Sequence, residues 1–238
     1  MKAVILAGGL GTRLRPLTFS VPKPLLPLGE KPILQFIIER LRKFEIKEII
    51  LCTGYQSELI QTFCGDGSKF GVRIDYARES KPLGTAGPLS LIKERFSEGE
   101  TFILMNGDIV TTLDFSRMIQ YHSLGEFALT IGFTKYRYTS PFGVLQIEDG
   151  KLLDILEKPS KEYNVSAGIY VANSSILDFV PRSVFFTIPD LAKDLLKGKR
   201  KVGAYEITEF WAGMEHITQF DQVLKELDRI EGGLRREK

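Results

Sequence analysis

The chain opens on an unbroken apolar run over residues 3–7. With no polar residue alternating through it, this run predicts a strand buried on both faces, as in parallel sheets. Ile33, Phe36, Ile37, Leu41 and Phe44 recur at helical spacing and predict a helix over residues 32–44, with Pro32 in its first turn. Residues 48–52 read as a second buried strand and 57–63 as a short helix. Val72, Ile74 and Tyr76 alternate with Arg73 and Asp75, the pattern of a half-exposed strand. The stretch 82–88, rich in proline and glycine, predicts a loop leading into a helix that runs to Arg95, and 101–105 is again a buried strand. Strands and helices in this alternation demand right-handed crossovers and a mostly parallel sheet.

The second half changes character. Residues 127–133, 143–147, 152–157 and 167–171 have strand patterns, and Glu148-Asp149-Gly150-Lys151 predicts a hairpin turn between the second and third. Helical spacing returns over 188–196 and 220–230, and 234–238 read as a frayed, solvated end. No internal repeat, low-complexity segment or linker interrupts the pattern. The expected fold class is α/β, one continuous domain over 1–238, with a changeover near residue 110 between a nucleotide-type half (1–110) and a strand-rich half (111–230).

Composition narrows the function classes. Hydrophobic residues make up 43% and the 16 Phe are spread through the chain, which excludes intrinsic disorder. A net charge of +2 gives no long-range field for nucleic acid. Two Cys and two His make neither a disulfide framework nor a zinc cluster. No apolar run approaches a membrane span of about 18 residues, and the N-terminal run is too short for a signal peptide. The expectation is a cytoplasmic protein that does not engage a membrane.

Chemistry concentrates after the first strand, in Gly8-Gly9-Leu10-Gly11-Thr12-Arg13-Leu14-Arg15-Pro16. Glycines beyond the carboxyl end of a strand let backbone N–H groups approach a phosphate. The loop is not a P-loop, since Gly11 is followed by Thr12-Arg13 rather than Lys-Ser/Thr. Nor is it the dinucleotide fingerprint, since Leu14 stands where a third glycine belongs. Arg13 and Arg15 form a basic fork suited to phosphate oxygens, and Pro22-Lys23-Pro24 presents one lysine between two prolines that fix its backbone.

These residues, with Leu17-Thr18 and Leu25 beside them, resemble the signature of the sugar-1-phosphate nucleotidylyltransferases. Pro82-Leu83-Gly84-Thr85-Ala86-Gly87-Pro88-Leu89, Asn106-Gly107-Asp108, Phe142-Gly143-Val144, Glu157-Lys158-Pro159 and Ala167-Gly168-Ile169-Tyr170 follow in the family's order, covering roughly residues 1 to 180. The resemblance implies a Rossmann-like three-layer sandwich with a mostly parallel mixed sheet and a strand-rich sugar-binding insertion. It implies transfer of a nucleotidyl group from a nucleoside triphosphate to a sugar-1-phosphate, with release of pyrophosphate. Leu6, Ala7, Gly8, Gly9, Gly11, Thr12, Arg13, Pro82, Gly84 and Thr85 would bind nucleotide, and Arg13 and Lys23 would be catalytic. Gly143, Glu157, Lys158 and Gly168 would bind the sugar phosphate, and Asp108 would bind Mg2+. The loops are most similar to mannose-1-phosphate guanylyltransferases, pointing to GTP with mannose-1-phosphate or a related sugar. Thymidylyl-, uridylyl- and cytidylyltransferases share the loops and stay open, as does a homo-oligomer. No hexapeptide repeat of the kind that longer members append is present.

Two positions depart from the family. Gly213, in Trp211-Ala212-Gly213-Met214-Glu215, stands where a second metal-binding Asp is usual, with Glu209 and Glu215 the nearby carboxylates, and Ser166 stands where Asn is frequent. The departures keep open a catalytically impaired, nucleotide-sugar-binding homologue.

Overall fold

The computed structural model describes residues 1–236; Glu237 and Lys238 of the expected frayed tail lie outside them. The first half runs β1 (Lys2–Ala7), the short strands β2 (Pro27–Leu28) and β3 (Lys31–Pro32), α1 (Ile33–Lys43), β4 (Glu48–Thr53), α2 (Ser57–Cys64), β5 (Arg73–Arg78) and β6 (Thr101–Asn106). Then come β7 (Ile109–Thr111), α3 (Phe115–Leu124), β8 (Leu129–Thr139), β9 (Val144–Glu148), β10 (Lys151–Leu156) and β11 (Ser160–Asn173). The chain closes with α4 (Ile188–Lys197), β12 (Val202–Glu206), β13 (Trp211–Gly213) and α5 (Thr218–Arg236), so the last helix continues past residue 230.

Seven strands form the main sheet in the order β12-β8-β11-β6-β1-β4-β5. β1 lies parallel to both β4 and β6, β4 to β5, and β12 to β8; only β11 runs antiparallel to its neighbours, making the sheet mixed. Alternation along the strands feeds two cores. Ala3, Ile5 and Ala7 of β1 and Ile103 and Met105 of β6 join α1, α3 and α5 on one face. Val4, Phe102 and Leu104 join α4 and the turns after residue 86 on the other. The result is a three-layer α/β/α sandwich, as the family resemblance implies, built on the mostly parallel sheet that the sequence pattern predicts.

Several local expectations are corrected. The predicted helix up to Arg95 is two 3-10 turns, Gly87–Leu91 and Lys93–Arg95. Burial there is continuous over Ala86, Gly87, Pro88 and Leu89 and returns at Ile92, so it does not follow the 3.6-residue period of an exposed-face α-helix. α3 has no sequence-based counterpart: only Phe115, Met118 and His122 are buried along it, and Asp114 caps it through Ser116 N–H at 2.9 Å. β8 and β11 run further than expected, because their outer halves pair with each other beyond the core. The β9–β10 hairpin forms at its predicted turn, with Asp149 and Gly150 both at positive φ. Its cross-strand pairs Leu145–Ile155 and Ile147–Leu152 share one apolar face that remains exposed.

Burial therefore separates residues that the pattern treats alike. Phe102, fully buried with its ring 4.5 Å from that of Phe96, is expected to cost about 3–5 kcal/mol on replacement by Ala. Ile147→Ser on the open hairpin should stay within about 0.5 kcal/mol of the parent. Urea denaturation of both variants measures the contrast.

Candidate active site

The order of strands reverses around β1: the chain passes from β1 to β4 and β5 on one side, then returns to β6 on the other. At such a reversal the loops leaving the strand ends diverge and open a crevice. A cleft of about 390 Å³ lies there, lined by Leu6 and Ala7 at the end of β1 and by Asn106, Gly107 and Asp108 beyond β6.

The glycine loop closes its floor. Gly11 adopts φ +60, and a Cβ there would come 2.8 Å from the Thr18 methyl, so glycine is required by both conformation and space. The buried Thr18 hydroxyl donates to the Gly11 carbonyl at 2.8 Å and holds the turn. Gly9 is different. A Cβ there would meet no protein atom, because its surroundings are the open cleft. Across the cleft, Gly84 at φ +80 sits against the Phe186 carbonyl, which accepts N–H bonds from Ala86 at 2.9 Å and Gly87 at 3.0 Å. Thr85 Oγ1 accepts the Ile188 N–H at 2.9 Å, tying this loop to the start of α4.

Four charges meet at the open end. Lys23 begins a 3-10 turn after the extended Pro22, and its side chain is only 12% exposed. Its Nζ pairs with Asp108 and lies 3.5 Å from Glu215 Oε2, while Arg13 pairs with the same Glu215 oxygen. Burial pushes the Glu215 carboxyl up, but Lys23 and Arg13 outweigh it and hold the group below its ordinary range. Trp211 and Gly213 bring Glu215 here. β13 pairs with β7 in the register Gly213–Ile109, Trp211 Nε1 donates to the Ala167 carbonyl at 2.7 Å, and Met214 N–H donates to the Asp108 carbonyl at 3.0 Å.

A third carboxyl, Glu79, follows β5 into the cleft. One oxygen accepts the Leu83 N–H at 2.8 Å, and the other lies over Gly8, where any Cβ would collide with it. Burial raises the Glu79 pKa, offset only in part by the Leu83 hydrogen bond.

All ten residues expected to bind nucleotide line this cleft, from Leu6 through Thr85, together with Lys23 and Asp108. Arg15 does not; its guanidinium lies 4.9 Å from the Phe19 ring centroid. Gly143, Glu157 and Lys158 stand apart from the cleft lining, at the base of the β9–β10 hairpin. There the Glu157–Lys158 pair is 4.0 Å apart and largely exposed. Gly168, at φ +69, packs against the Asn106 amide between β11 and β6. Ser166 shares a hydrogen bond of 3.1 Å with the Tyr170 hydroxyl. Glu79 and Phe185 line the cleft without having been singled out by sequence. Glu79 directly ends a strand and precedes the glycine-proline loop, and that position was the available signal.

Mg2+, a hard cation, is held by one or two carboxylates, with phosphate oxygens and water completing its shell. Among the described residues no group of three or more His, Cys, Asp or Glu forms a self-sufficient metal site. Asp108 and Glu215, side by side at Lys23, fit the smaller requirement. Cys52 and Cys64 are free and buried away from the cleft, with burial pushing each thiol up to about 12. No described helix is long and apolar enough to cross a membrane.

Comparison with known proteins points the same way. A family model described as nucleotidyl transferase matches residues 2–212. The chain is 38% identical over 183 residues to the mannose-1-phosphate guanylyltransferase catalytic subunit beta of Dictyostelium discoideum, covering 75% of this chain and 51% of that protein. It is 35% identical over 221 residues to a mannose-1-phosphate guanyltransferase of Yarrowia lipolytica, covering 89% and 60%. The chain thus spans about half the length of the curated relatives it matches. The crystal structure of HddC from Yersinia pseudotuberculosis complexed with GMP-PN superposes with a TM-score of 0.73 at 25% identity, covering 95% of this chain and 99% of that one.

The two kinds of glycine should separate on substitution. Gly84→Ala forces a Cβ to 2.6 Å from the Phe186 carbonyl oxygen at positive φ, and is expected to cost roughly 1–3 kcal/mol of stability. Gly9→Ala, with nothing in the protein to meet, should leave the unfolding free energy within about 0.5 kcal/mol. Chemical denaturation distinguishes them.

Proposed function

The chain belongs to the nucleotidyl transferase family, and from that premise we propose that it joins GTP to a sugar-1-phosphate, of the mannose-1-phosphate type, releasing pyrophosphate. One observation carries this reading: the glycine turn, Lys23, Arg13, Asp108 and Glu79 all face a single cleft at the strand-order reversal. The choice of sugar rests on likeness to mannose-1-phosphate guanylyltransferases. The free buried thiols suit a reducing, cytoplasmic setting.

In this reaction a phosphate oxygen of the sugar-1-phosphate forms a bond to the α-phosphorus while the bond from that phosphorus to the bridging β-oxygen breaks. The electron pair leaves on pyrophosphate. The barrier is chiefly electrostatic, since one anion approaches another, so the protein's task is positioning and charge neutralisation. The backbone around Gly8, Gly9 and Gly11 lies open to phosphate oxygens. Lys23 and Arg13 offset the charge on the reacting and leaving phosphates. Asp108 holds Mg2+, which when bound neutralises phosphate charge and orients the triphosphate.

Glu79 supports guanine among the bases. A carboxylate presents only acceptors. Guanine offers two adjacent donors, N1–H and the 2-amino group, on its Watson–Crick edge. Adenine, cytosine, thymine and uracil each place an acceptor beside a donor there and would set a lone pair against Glu79. The pocket at Gly8 leaves one Glu79 oxygen free of the Leu83 N–H for this contact.

The activity test is pyrophosphate release from a panel of nucleoside triphosphates and sugar-1-phosphates with Mg2+; absence of release with every pair would leave the impaired-homologue reading in its place. Lys23→Ala is expected to lower kcat on the order of 100-fold, about 3 kcal/mol, with an unchanged melting curve. Glu79→Gln should cut the preference for GTP over ATP by about 1–3 kcal/mol in kcat/KM. Because the Glu79 pKa is raised, the GTP preference of the parent should begin to fall at a pH above the ordinary carboxylate range, as protonation removes the acceptor. That pH dependence should be absent in Glu79→Gln.

A further inference from the structure

Gly213 occupies an extended, unstrained position in β13, where a Cβ would find only ordinary contacts of 3.7 Å with Ile109 and Trp211. The backbone there does not demand glycine, and the position contributes no side chain. Two residues later the chain turns: Glu215 N–H donates to the Gly213 carbonyl at 2.9 Å. Gln219, in the first turn of α5, then fixes the turn, its side-chain oxygen accepting the N–H groups of both Glu215 and His216 at 2.7 Å. The Met214 N–H bond to the Asp108 carbonyl ties this segment to the other carboxylate. Glu215 is thereby delivered to the Lys23 ammonium that Asp108 also grips. Glu209 is delivered elsewhere: its carboxylate faces the Asp114 N–H at 3.3 Å, at the start of α3.

We propose that Glu215 supplies the second protein carboxylate for Mg2+, two positions beyond the side chain that Gly213 lacks. Lys23 and Arg13 are then counter-ions that the two carboxylates release to the phosphates when metal and nucleotide enter together. The inference rests on the reading of this cleft as a triphosphate site. Geometry favours it over a merely structural ion pair. Both cations line the cleft, both carboxylates meet the same Nζ, and the turn after Gly213, with Met214 N–H bonded to the Asp108 carbonyl, brings Glu215 back to that point. With Lys23 and Arg13 engaged by carboxylates, the free cleft holds phosphate weakly until a divalent cation replaces them as the carboxylates' partner.

Isothermal titration of the non-hydrolysable analogue α,β-methylene GTP, in EDTA and in excess Mg2+, tests the assignment. Mg2+ should tighten binding to the parent by about tenfold or more, a typical coupling between two ligands. Glu215→Gln should lose most of that enhancement, as Asp108→Asn does, while Glu209→Gln keeps it. In EDTA, Glu215→Gln should bind the analogue at least as tightly as the parent, because a repelling carboxylate is gone and Arg13 is freed while Lys23 keeps only Asp108 as its partner. A structural role would weaken binding equally in both media, and that result overturns the proposal. So does a full Mg2+ enhancement in Glu215→Gln. If that variant fails to fold, Glu215→Asp keeps the charge and shortens the reach; an undiminished enhancement there also overturns the proposal. The same titrations with α,β-methylene ATP separate the two readings. Equal affinity for both analogues would remove the guanine assignment while the Mg2+ comparison still decides Glu215.

Discussion

The molecule is organised by the placement of one strand. β1 lies between β4 and β6, parallel to both, yet its two neighbours are reached in opposite directions along the sheet. Chains leaving the carboxyl ends of β1 and β6 must therefore part, and no side chain of the sheet can fill the gap between them. Several of the cleft's polar groups hang from the strand ends around that gap: the glycine turn on β1, Asp108 beyond β6, and Glu79 from β5, two strands from β1. A continuous apolar β1, with Ala3, Ile5 and Ala7 on one face and Val4 on the other, is what lets helices cover both sides and forces ligand chemistry to the edge.

Charges at the mouth follow from this geometry. Lys23 is mostly buried, and desolvating a lone ammonium is costly, so opposite charge must be placed beside it. Asp108 and Glu215 provide it, and Glu215 is shared with Arg13. Such a network is poor evidence for stability, because each group loses water to join it. Its value lies in arrangement: two cations and two carboxylates are held together at the mouth of one cleft. Glu79 lives under a different regime. Among the described residues it makes no ion pair, burial raises its pKa, and its partner is a backbone N–H.

The β9–β10 hairpin is the part of the fold least bound to the core. Its polar and apolar residues alternate as in any half-buried strand, but Leu145, Ile147, Leu152 and Ile155 pair only with one another across the ribbon. Gly143, Glu157 and Lys158 belong to this arm and stand apart from the cleft lining. The two ends of the expected reaction thus rest on unlike supports, one a closed sheet and the other an open ribbon.

Sequence alone determined the parts whose physics is local. Apolar runs, alternation and helical spacing placed β1, β4, β5, β6, α1, α2 and α4 to within a few residues, but not the two-residue strands β2 and β3. Glycine and proline marked the loops where backbone must turn or stand open, and the first ordered motifs marked residues that line one cleft. What escaped was set by contacts distant along the chain. α3 is held by three buried residues and a cap, too sparse a pattern to read. The turns after Ala86 follow a 3-10 period because α4 and the 185–188 segment fix their ends. The pairing of β13 with β7 decides that Glu215 enters the cleft and that Glu209 stays out, although the two carboxylates flank Gly213 almost symmetrically in the sequence. Spacing along the chain gives a side chain's neighbours within one element; which carboxylate meets Lys23 depends on how separate strands pair, and only the tertiary structure supplies that.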